Sequence, residues 1–284
     1  MLDDITGLSG RLIIDAILAG EHDPVRLAKR RDPKCQHGEE TIALALQGNW
    51  RDEHLFTLHQ GLELYRVYQQ KLQELDQQIE AHLQQLSASC ARPAAPLSPR
   101  PAGRRKKSRN EPAFDLRSLL HRISAVDLTT INGIGPHAAL QLILEIGTDM
   151  SQFPTVKHFC SWLCLCPGTH KTGGRIRSRT GKTRPSANRA AKVLRLCAQS
   201  VIRADCALGA FGRRLKSRLG APKAVTAVAH KLAKLVFALL TTGRPYTDEG
   251  AASYEQHFRE QQLQRLTTKA SKLGYTLLPS IPAM

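Results

Sequence analysis

Apolar residues recur at helical spacing along most of the chain. Leu12, Ile13, Ile14, Ile17 and Leu18 crowd two turns and stop at Gly20, which suits the C-terminal cap of a first helix. Asp23-Pro24 pairs a capping carboxylate with a proline at the first helical position, where a missing N–H costs nothing. That pair predicts a second short helix, closed before Asp32-Pro33. The pattern from Glu39 to Leu46 predicts a third, ended at Gly48. With Trp50 at its edge, 1–52 reads as a small packed unit of short helices.

From Glu53 to Leu86 the spacing lengthens into one helix. Leu58, Leu62, Tyr65, Leu72, Leu75, Ile79, Leu83 and Leu86 follow steps of three, four or their sum, the seam of a coiled coil. No proline interrupts the run, and Gly61 is its one internal glycine. A helix of about 34 residues extends about 50 Å, more than a small domain needs to cover itself. Two readings stand for 53–87. The seam joins a second copy of the chain in a homo-oligomer, or the helix lies along its own domain.

Pro93, Pro96, Pro99, Pro101 and Pro112 then share one stretch with the run Arg104-Arg105-Lys106-Lys107. Proline at that density excludes regular helix and sheet, and little there is apolar enough to bury. Residues 88–115 read as a disordered linker whose basic run adds nonspecific attraction to phosphate.

Helical patterning resumes in 116–245. Leu116 to Ile123 predicts a short helix. Leu128 onward predicts another, then a turn at Gly133-Ile134-Gly135 and an apolar helix through Glu145. This order over 126–149 resembles a helix-hairpin-helix motif, in which glycine N–H groups at a helix N-terminus accept a phosphate. A tight helix–helix corner that touches no nucleic acid has the same pattern. Farther on, a helix beginning near Ser186 carries Lys192, Arg195 and Arg203. Residues 209–219 are short and basic. Lys223 to Leu240 places Val225, Val228, Leu232, Leu235, Val236 and Leu239 in one stripe and ends at Gly243. The tail, 246–284, is polar and helical from Ala251 to Lys272. LCLCPG is the one strand candidate, so the fold class is mainly α: a helical N-terminal unit with a long coiled-coil-like helix, then a helical C-terminal domain.

Charge changes this picture most. The 41 Lys and Arg exceed the 24 Asp and Glu, for a net +17 and a pI near 10, which points to a polyanionic partner. Met150 to Ala204 alone holds eleven Lys and Arg and no acid. Its centre, 163–195, sets Lys171, Arg175, Arg177, Arg179, Lys182, Arg184, Arg189 and Lys192 among Thr172, Ser178, Thr180 and Thr183, with Gly173 and Gly174 between. Cations with hydroxyls and close-approaching glycine N–H groups suit a phosphate backbone; the plain alternative is a solvated basic face. A membrane partner is disfavoured, since no apolar run approaches the ~20 residues of a span and the N-terminus lacks signal-peptide character. Seven cysteines without an export signal read as reduced cytosolic thiols. Cys160, Cys164 and Cys166 lie near His158 and His170, but their spacing is not that of a zinc site, so small packed side chains are expected there. His22, His37, His54 and His230 read as surface or packing histidines.

The segments LTTINGIGPHAALQLILEIGTDMSQFPTVKHFCSWLCLCPG, SANRAAKVLR and LGAFGRRLKSRLGAPKAVTAVAHKLAKLVFALLTTG carry a resemblance. In order and spacing, Val126 to Tyr254 is similar to the C-terminal domain of IS110-family insertion-sequence transposases, DEDD-type recombinases related to pilin-gene invertases. DDITGLSGRLIIDAILAGEHDPVRLAKRRDP and GNWRDEHLFTLHQGLELY look like the same family's middle, with its coiled-coil segment. The resemblance implies a DNA transposase or site-specific recombinase, cytoplasmic and nucleoid-associated in a bacterium, with DNA as partner and, in some members, a structured guide RNA. It implies a catalytic hydroxyl before a small-residue pair, a position held here by Thr172 before Gly173-Gly174 rather than by serine. The charge block and the hairpin glycines make Lys171, Gly173, Gly174, Arg175, Arg177, Arg179, Lys182, Arg184, Arg189, Lys192, Gly133 and Gly135 the candidates for nucleic-acid binding. Family members hold Mg²⁺ on carboxylates of an N-terminal RuvC-like domain. This chain enters the middle region at Met1, so that domain is expected to be absent, with no cofactor or metal site in the chain itself. The chain then reads as a truncated transposase, inactive alone. The alternative is a catalytically inactive nucleic-acid-binding or dimerisation partner of a full-length transposase.

Overall fold

The computed structural model describes residues 5–33, 35, 37–89, 97, 111–172 and 175–278, with the backbone alone for 169–172 and 175–182. Among them are eleven α-helices, one 3-10 turn and one two-stranded sheet, a mainly α protein. Two compact units divide the chain, Met1–Gln77 and Gln78–Met284.

The first unit holds α1 (Leu8–Leu18), α2 (Pro24–Ala28), α3 (Glu39–Ala45) and the first part of α4 (Asp52–Ser89). Asp23 caps α2 by accepting from the Val25 N–H at 3.1 Å, and Pro24 occupies the position where no N–H is needed. Helix α1 starts four residues before the expected Leu12, because the face that packs uses Ser9, Ile13, Ala16 and Ile17 while Leu12 is exposed. The small core joins Ile13, Ile17, Leu27 and Ile42, with Trp50, Leu55 and Leu58 against it, and His22 stacks on Trp50 at 5.1 Å. Leu58, Leu62 and Tyr65 of α4 line an apolar cleft of about 600 Å³ with Ile5 and Ile14 of this unit, and Arg66 reaches Asp15 at 2.7 Å. Leu72 and Leu75, farther along α4, are more than half exposed.

Helix α4 runs to Ser89 rather than stopping at Leu86. The Ser-Ala-Ser extension contains no proline to break it. Of the expected linker at 88–115, residues 90–96 and 98–110 lie outside the described residues.

The second unit is built around α10 (Ala221–Thr242), whose Val228, Ala229, Leu232, Ala233 and Val236 are fully buried. Packed on it are α7 (Val156–Trp162), α8 (Arg189–Ile202) and α9 (Ala207–Leu219); α6 (Pro136–Ile146) packs on α8, α5 (Leu116–Ser124) on α6, and α11 (Ala251–Lys272) on α9. At 22 residues, α10 is long and apolar enough to cross a membrane by length and composition, contrary to the expectation that no run approaches a span. Its buried stripe is nevertheless the middle of this core. Helix α9 approaches closely because Gly212 leaves room: a Cβ there would stand 2.6 Å from Ile202 and 3.1 Å from Val228. The connection before α11 is fixed by Asp248, which accepts from the Ala207 N–H at 3.1 Å and the Tyr246 hydroxyl at 3.3 Å.

Three expectations in this unit are corrected. Residues Leu128–Thr130 form a single 3-10 turn, not an α-helix, because Asp127 folds its carboxylate back onto the Thr129 N–H and hydroxyl. The apolar LCLCPG run is not a strand up to Pro167: its leucines Leu163 and Leu165 are buried and Cys164 turns the chain at φ 52°. Instead β1 (Pro167–Thr172) and β2 (Arg175–Thr183) form an antiparallel hairpin. Helix α8 begins at Arg189, three residues later than Ser186, since Asn188 is the cap that accepts from the Ala191 N–H at 3.0 Å. The Ser186 hydroxyl accepts from the Asn188 N–H at 3.1 Å and so precedes the helix.

Candidate nucleic-acid interface

The basic block is a ribbon. Lys171 and Thr172 occupy the end of β1, and Arg175, Arg177, Arg179 and Lys182 lie along β2. Thr169 pairs with Arg179, His170 with Ser178, Lys171 with Ile176 and Thr172 with Arg175, with register shifts after Pro167 and after His170. Residue 172 therefore closes the paired part of the hairpin. Gly173 and Gly174, between the two strands in sequence, lie outside the described residues. Two anchors hold the ribbon at its base: the buried Leu163 and Leu165 just before β1, and the capped start of α8 just after β2.

Helix α8 extends the cationic surface. Ala190, Ala191, Val193, Leu194, Cys197 and Ala198 bury one face, which leaves Arg189 and Lys192, three residues apart, together on the solvent side. The Arg189 side chain is 83% exposed and its Nη1 stands 3.5 Å from Glu145 at the end of α6. A pair that exposed constrains the arginine little. Arg184, between ribbon and helix, is also exposed. Lys171, Arg175, Arg177, Arg179, Lys182, Arg184, Arg189 and Lys192 thus belong to one continuous segment, strand to loop to helix.

Gly133 and Gly135 do different work from each other. Gly133 has φ 89°, and a Cβ there would stand 2.8 Å from Val201 Cγ2 and 3.0 Å from the Cys197 carbonyl. It lets the turn press on α8. Gly135 caps α6 with φ −89° and has open space where a Cβ would go. The turn is held from the other side by a buried charged group absent from the sequence reading: Arg117 of α5 donates to Asp127 and to Thr129. Burial alone would raise the Asp127 carboxyl, but hydrogen bonds from Arg117 and Thr129 outweigh it and hold it below its ordinary value.

The cysteine and histidine cluster is inert by its environment. Cys166 Sγ lies 3.9 Å from His230 Nε2. Burial pushes the Cys166 thiol up, and burial followed by the nearby Lys234 charge pushes His230 down, so both groups are held neutral rather than as an activated thiolate–imidazolium pair. Cys160, fully buried, is pushed up to about 11 by the same burial. Among the described residues no three His, Cys, Asp or Glu side chains group as a metal site. The donor set for the Mg²⁺ that the resemblance implies is not found among them, and no step below is routed through a metal.

Also unanticipated is Arg214 on α9. Its guanidinium carbon stands 3.6 Å from the Phe258 ring centroid and 5.1 Å from that of Tyr254, both on α11. The i,i+4 spacing of the two aromatics was the one signal available.

The acid-free stretch from Met150 to Ala204, with its eleven Lys and Arg, thus runs through α7, the β-ribbon and α8 of a helical body. Residues 125–212 match the family model described as Transposase IS116/IS110/IS902 family. This region is a transposase domain of that family, as the resemblance implied. The match spans the 3-10 turn, the hairpin turn, α6, α7, the ribbon, α8 and the first part of α9. Comparison with curated proteins and comparison with solved structures give no match.

Proposed function

We propose that this chain is the DNA-handling and nucleophile-bearing part of an insertion-sequence transposase. One observation carries the reading: the matched region, 125–212, contains the ribbon that brings residue 172 and five Lys and Arg into a single hairpin. Arg175, Arg177, Arg179, Lys171 and Lys182 bind the phosphate backbone and release its counterions; Arg184, Arg189 and Lys192 continue the track. The Thr172 hydroxyl attacks a backbone phosphorus, forming a phosphothreonine diester. The departing sugar oxygen takes up a proton to balance the one lost by the hydroxyl. Threonine is a competent nucleophile in kind, although its methyl group restricts χ1 relative to serine. Carboxylates that hold Mg²⁺ in this family belong to a RuvC-like domain, and full activity would draw on that domain together with this region. A second copy of the chain pairs through α4, and in members that use a structured guide RNA the same ribbon offers its backbone a track.

Trapping of a covalent protein–DNA adduct tests this reading. A supercoiled plasmid carrying the element's ends is incubated with the chain and a relative's RuvC-like domain. An adduct is expected with Thr172 or Thr172→Ser and not with Thr172→Ala. An adduct that survives Thr172→Ala overturns the assignment of the nucleophile. Replacing Arg175, Arg177 and Arg179 together by Ala should weaken DNA binding and flatten its salt dependence. Unchanged binding at every salt concentration would reduce the ribbon to a solvated face and leave the binding-partner alternative without its surface.

A further inference from the structure

Outside the matched region, α9 and α11 enclose a cleft of about 670 Å³ lined by Arg214, Arg218, His257, Arg265 and Glu249. A second depression of about 480 Å³ shares Gln261 and Arg265 with it and continues along α11 to Lys269 and Lys272. Helical spacing explains the continuity. Residues 254, 258, 261, 265, 268, 269 and 272 of α11 recur at three and four, so Tyr254, Phe258, Gln261, Arg265 and Lys272 share one stripe. The stripe begins packed on α9 and ends in solvent. Five cations, Arg214, Arg218, Arg265, Lys269 and Lys272, line this path against the one carboxylate of Glu249. Glu260, also on α11, is hydrogen-bonded to Gln256 at 3.2 Å and lines neither depression.

Arg214 shows what the cleft lacks. Phe211, Tyr254 and Phe258 surround its guanidinium, which fixes the group by cation–π contact. Its Nη1 is buried and has no hydrogen-bond partner among the described residues. A buried donor without an acceptor is costly, and an anion entering the cleft would supply one. The aromatic residues cannot serve as stacking platforms for unpaired bases, as single-strand binders require, because Arg214 already lies over them. What remains for a ligand is a row of cations and amides, which reads phosphate and not base. Arg265, Lys269 and Lys272 span about 10 Å of helix axis, the scale of three phosphate steps along one strand of a duplex.

We infer that the α9–α11 groove is a second, sequence-neutral binding site for the phosphate backbone of duplex DNA, separate from the ribbon. The choice of DNA rests on the transposase reading above; the recognition of a duplex backbone rests on the groove alone.

The test uses the full chain and a random-sequence 30-base-pair DNA duplex, titrated from 50 to 200 mM salt. The variant Arg218→Gln/Arg265→Gln/Lys269→Gln replaces exposed side chains only, and its thermal melt should match that of the unmodified protein. Each phosphate contact removed is expected to flatten the log affinity against log salt slope by about 0.9, with an affinity loss of about tenfold at 50 mM. Ser217→Glu, which adds a carboxylate at the cleft, should weaken binding without touching a cation. Unchanged affinity and slope in both variants overturn the site. A duplex RNA of equal length that competes better than the DNA overturns the choice of DNA. The ribbon variant Arg175→Ala/Arg177→Ala/Arg179→Ala is measured in parallel. Loss in the groove variants with none in the ribbon variant refutes the ribbon and keeps the groove; the reverse result refutes the groove and keeps the ribbon.

Discussion

Arg117 donates from Nε to Asp127 Oδ2 at 2.9 Å, and both side chains are more than nine-tenths buried. The same arginine donates to the Thr129 hydroxyl at 3.1 Å, while Asp127 Oδ1 accepts from the Thr129 N–H at 2.9 Å. Ten residues of sequence are thereby tied together, with α5 on one side and the 3-10 turn that leads to Gly133 on the other. The pair sets the position of the turn that presses on α8, and α8 carries the ribbon's C-terminal anchor.

Removing half of this pair should be severe. Asp127→Ala leaves the guanidinium buried without its carboxylate, which costs about 3–5 kcal/mol by the usual behaviour of buried ion pairs. Arg117→Leu combined with Asp127→Leu should recover most of that loss, since apolar replacement of both partners is often neutral. A double-mutant cycle by urea unfolding checks it. The pH dependence follows in sign. Asp127 is lowered in the folded state from an ordinary 3.8, so its contribution is present above that value and is lost as pH falls through the lowered folded one. Unfolding midpoints of the unmodified protein should drop more steeply below about pH 4 than those of the double-leucine variant.

Why some of this architecture was readable and some was not is a matter of distance along the chain. Asp23-Pro24 and Ala251 to Lys272 declare their helices through neighbours, and the structure places them as expected. The ribbon had a local signal too: Arg175, Arg177 and Arg179 alternate with Ile176, Ser178 and Thr180, a period of two that suits a strand. Its charge and its glycines point to phosphate instead, and LCLCPG is taken as the one strand candidate. Arg117 looked like any helix arginine, because the partner that buries it, Asp127, lies beyond the end of α5. Arg214 meets Tyr254 and Phe258 across forty residues, and no pattern within α9 foretells that contact.

The two glycines of the turn separate a packing role from a phosphate-binding role. Gly133→Ala forces a Cβ to 2.8 Å from Val201 at φ 89°, combining left-handed strain of about 1–2 kcal/mol with overpacking of about 1–3 kcal/mol. A loss of about 2–4 kcal/mol is expected in thermal or denaturant unfolding. Gly135→Ala meets nothing within 4 Å at an ordinary φ, so stability should change by less than about 0.5 kcal/mol. If Gly135→Ala weakens DNA binding while stability holds, the α6 N-terminus receives a phosphate and the turn acts as a true helix-hairpin-helix element. If it binds normally, the turn is a packed corner.

The middle of α4 presents the other open surface. Leu58, Tyr65, Leu72, Ile79 and Leu86 are spaced by seven, the interval that keeps one seam facing a partner helix. Leu58 and Tyr65 are half-buried within the first unit, whereas Leu72 and Leu75 are 54% and 57% exposed. Leu83, farther along, is 4% exposed, so the uncovered stretch lies between covered ends, and its Leu72, Leu75 and Ile79 suit pairing with the same stretch of a second copy. Sedimentation of the full chain at micromolar concentration should therefore give a dimer. Leu72→Glu with Leu75→Glu would bury unpaired charge at such a seam and should shift the protein to monomer, with helical content by circular dichroism unchanged because both positions are exposed. A monomer for the unmodified chain would mean that α4 supports only its own unit. A dimer indifferent to both substitutions would place the interface on another surface.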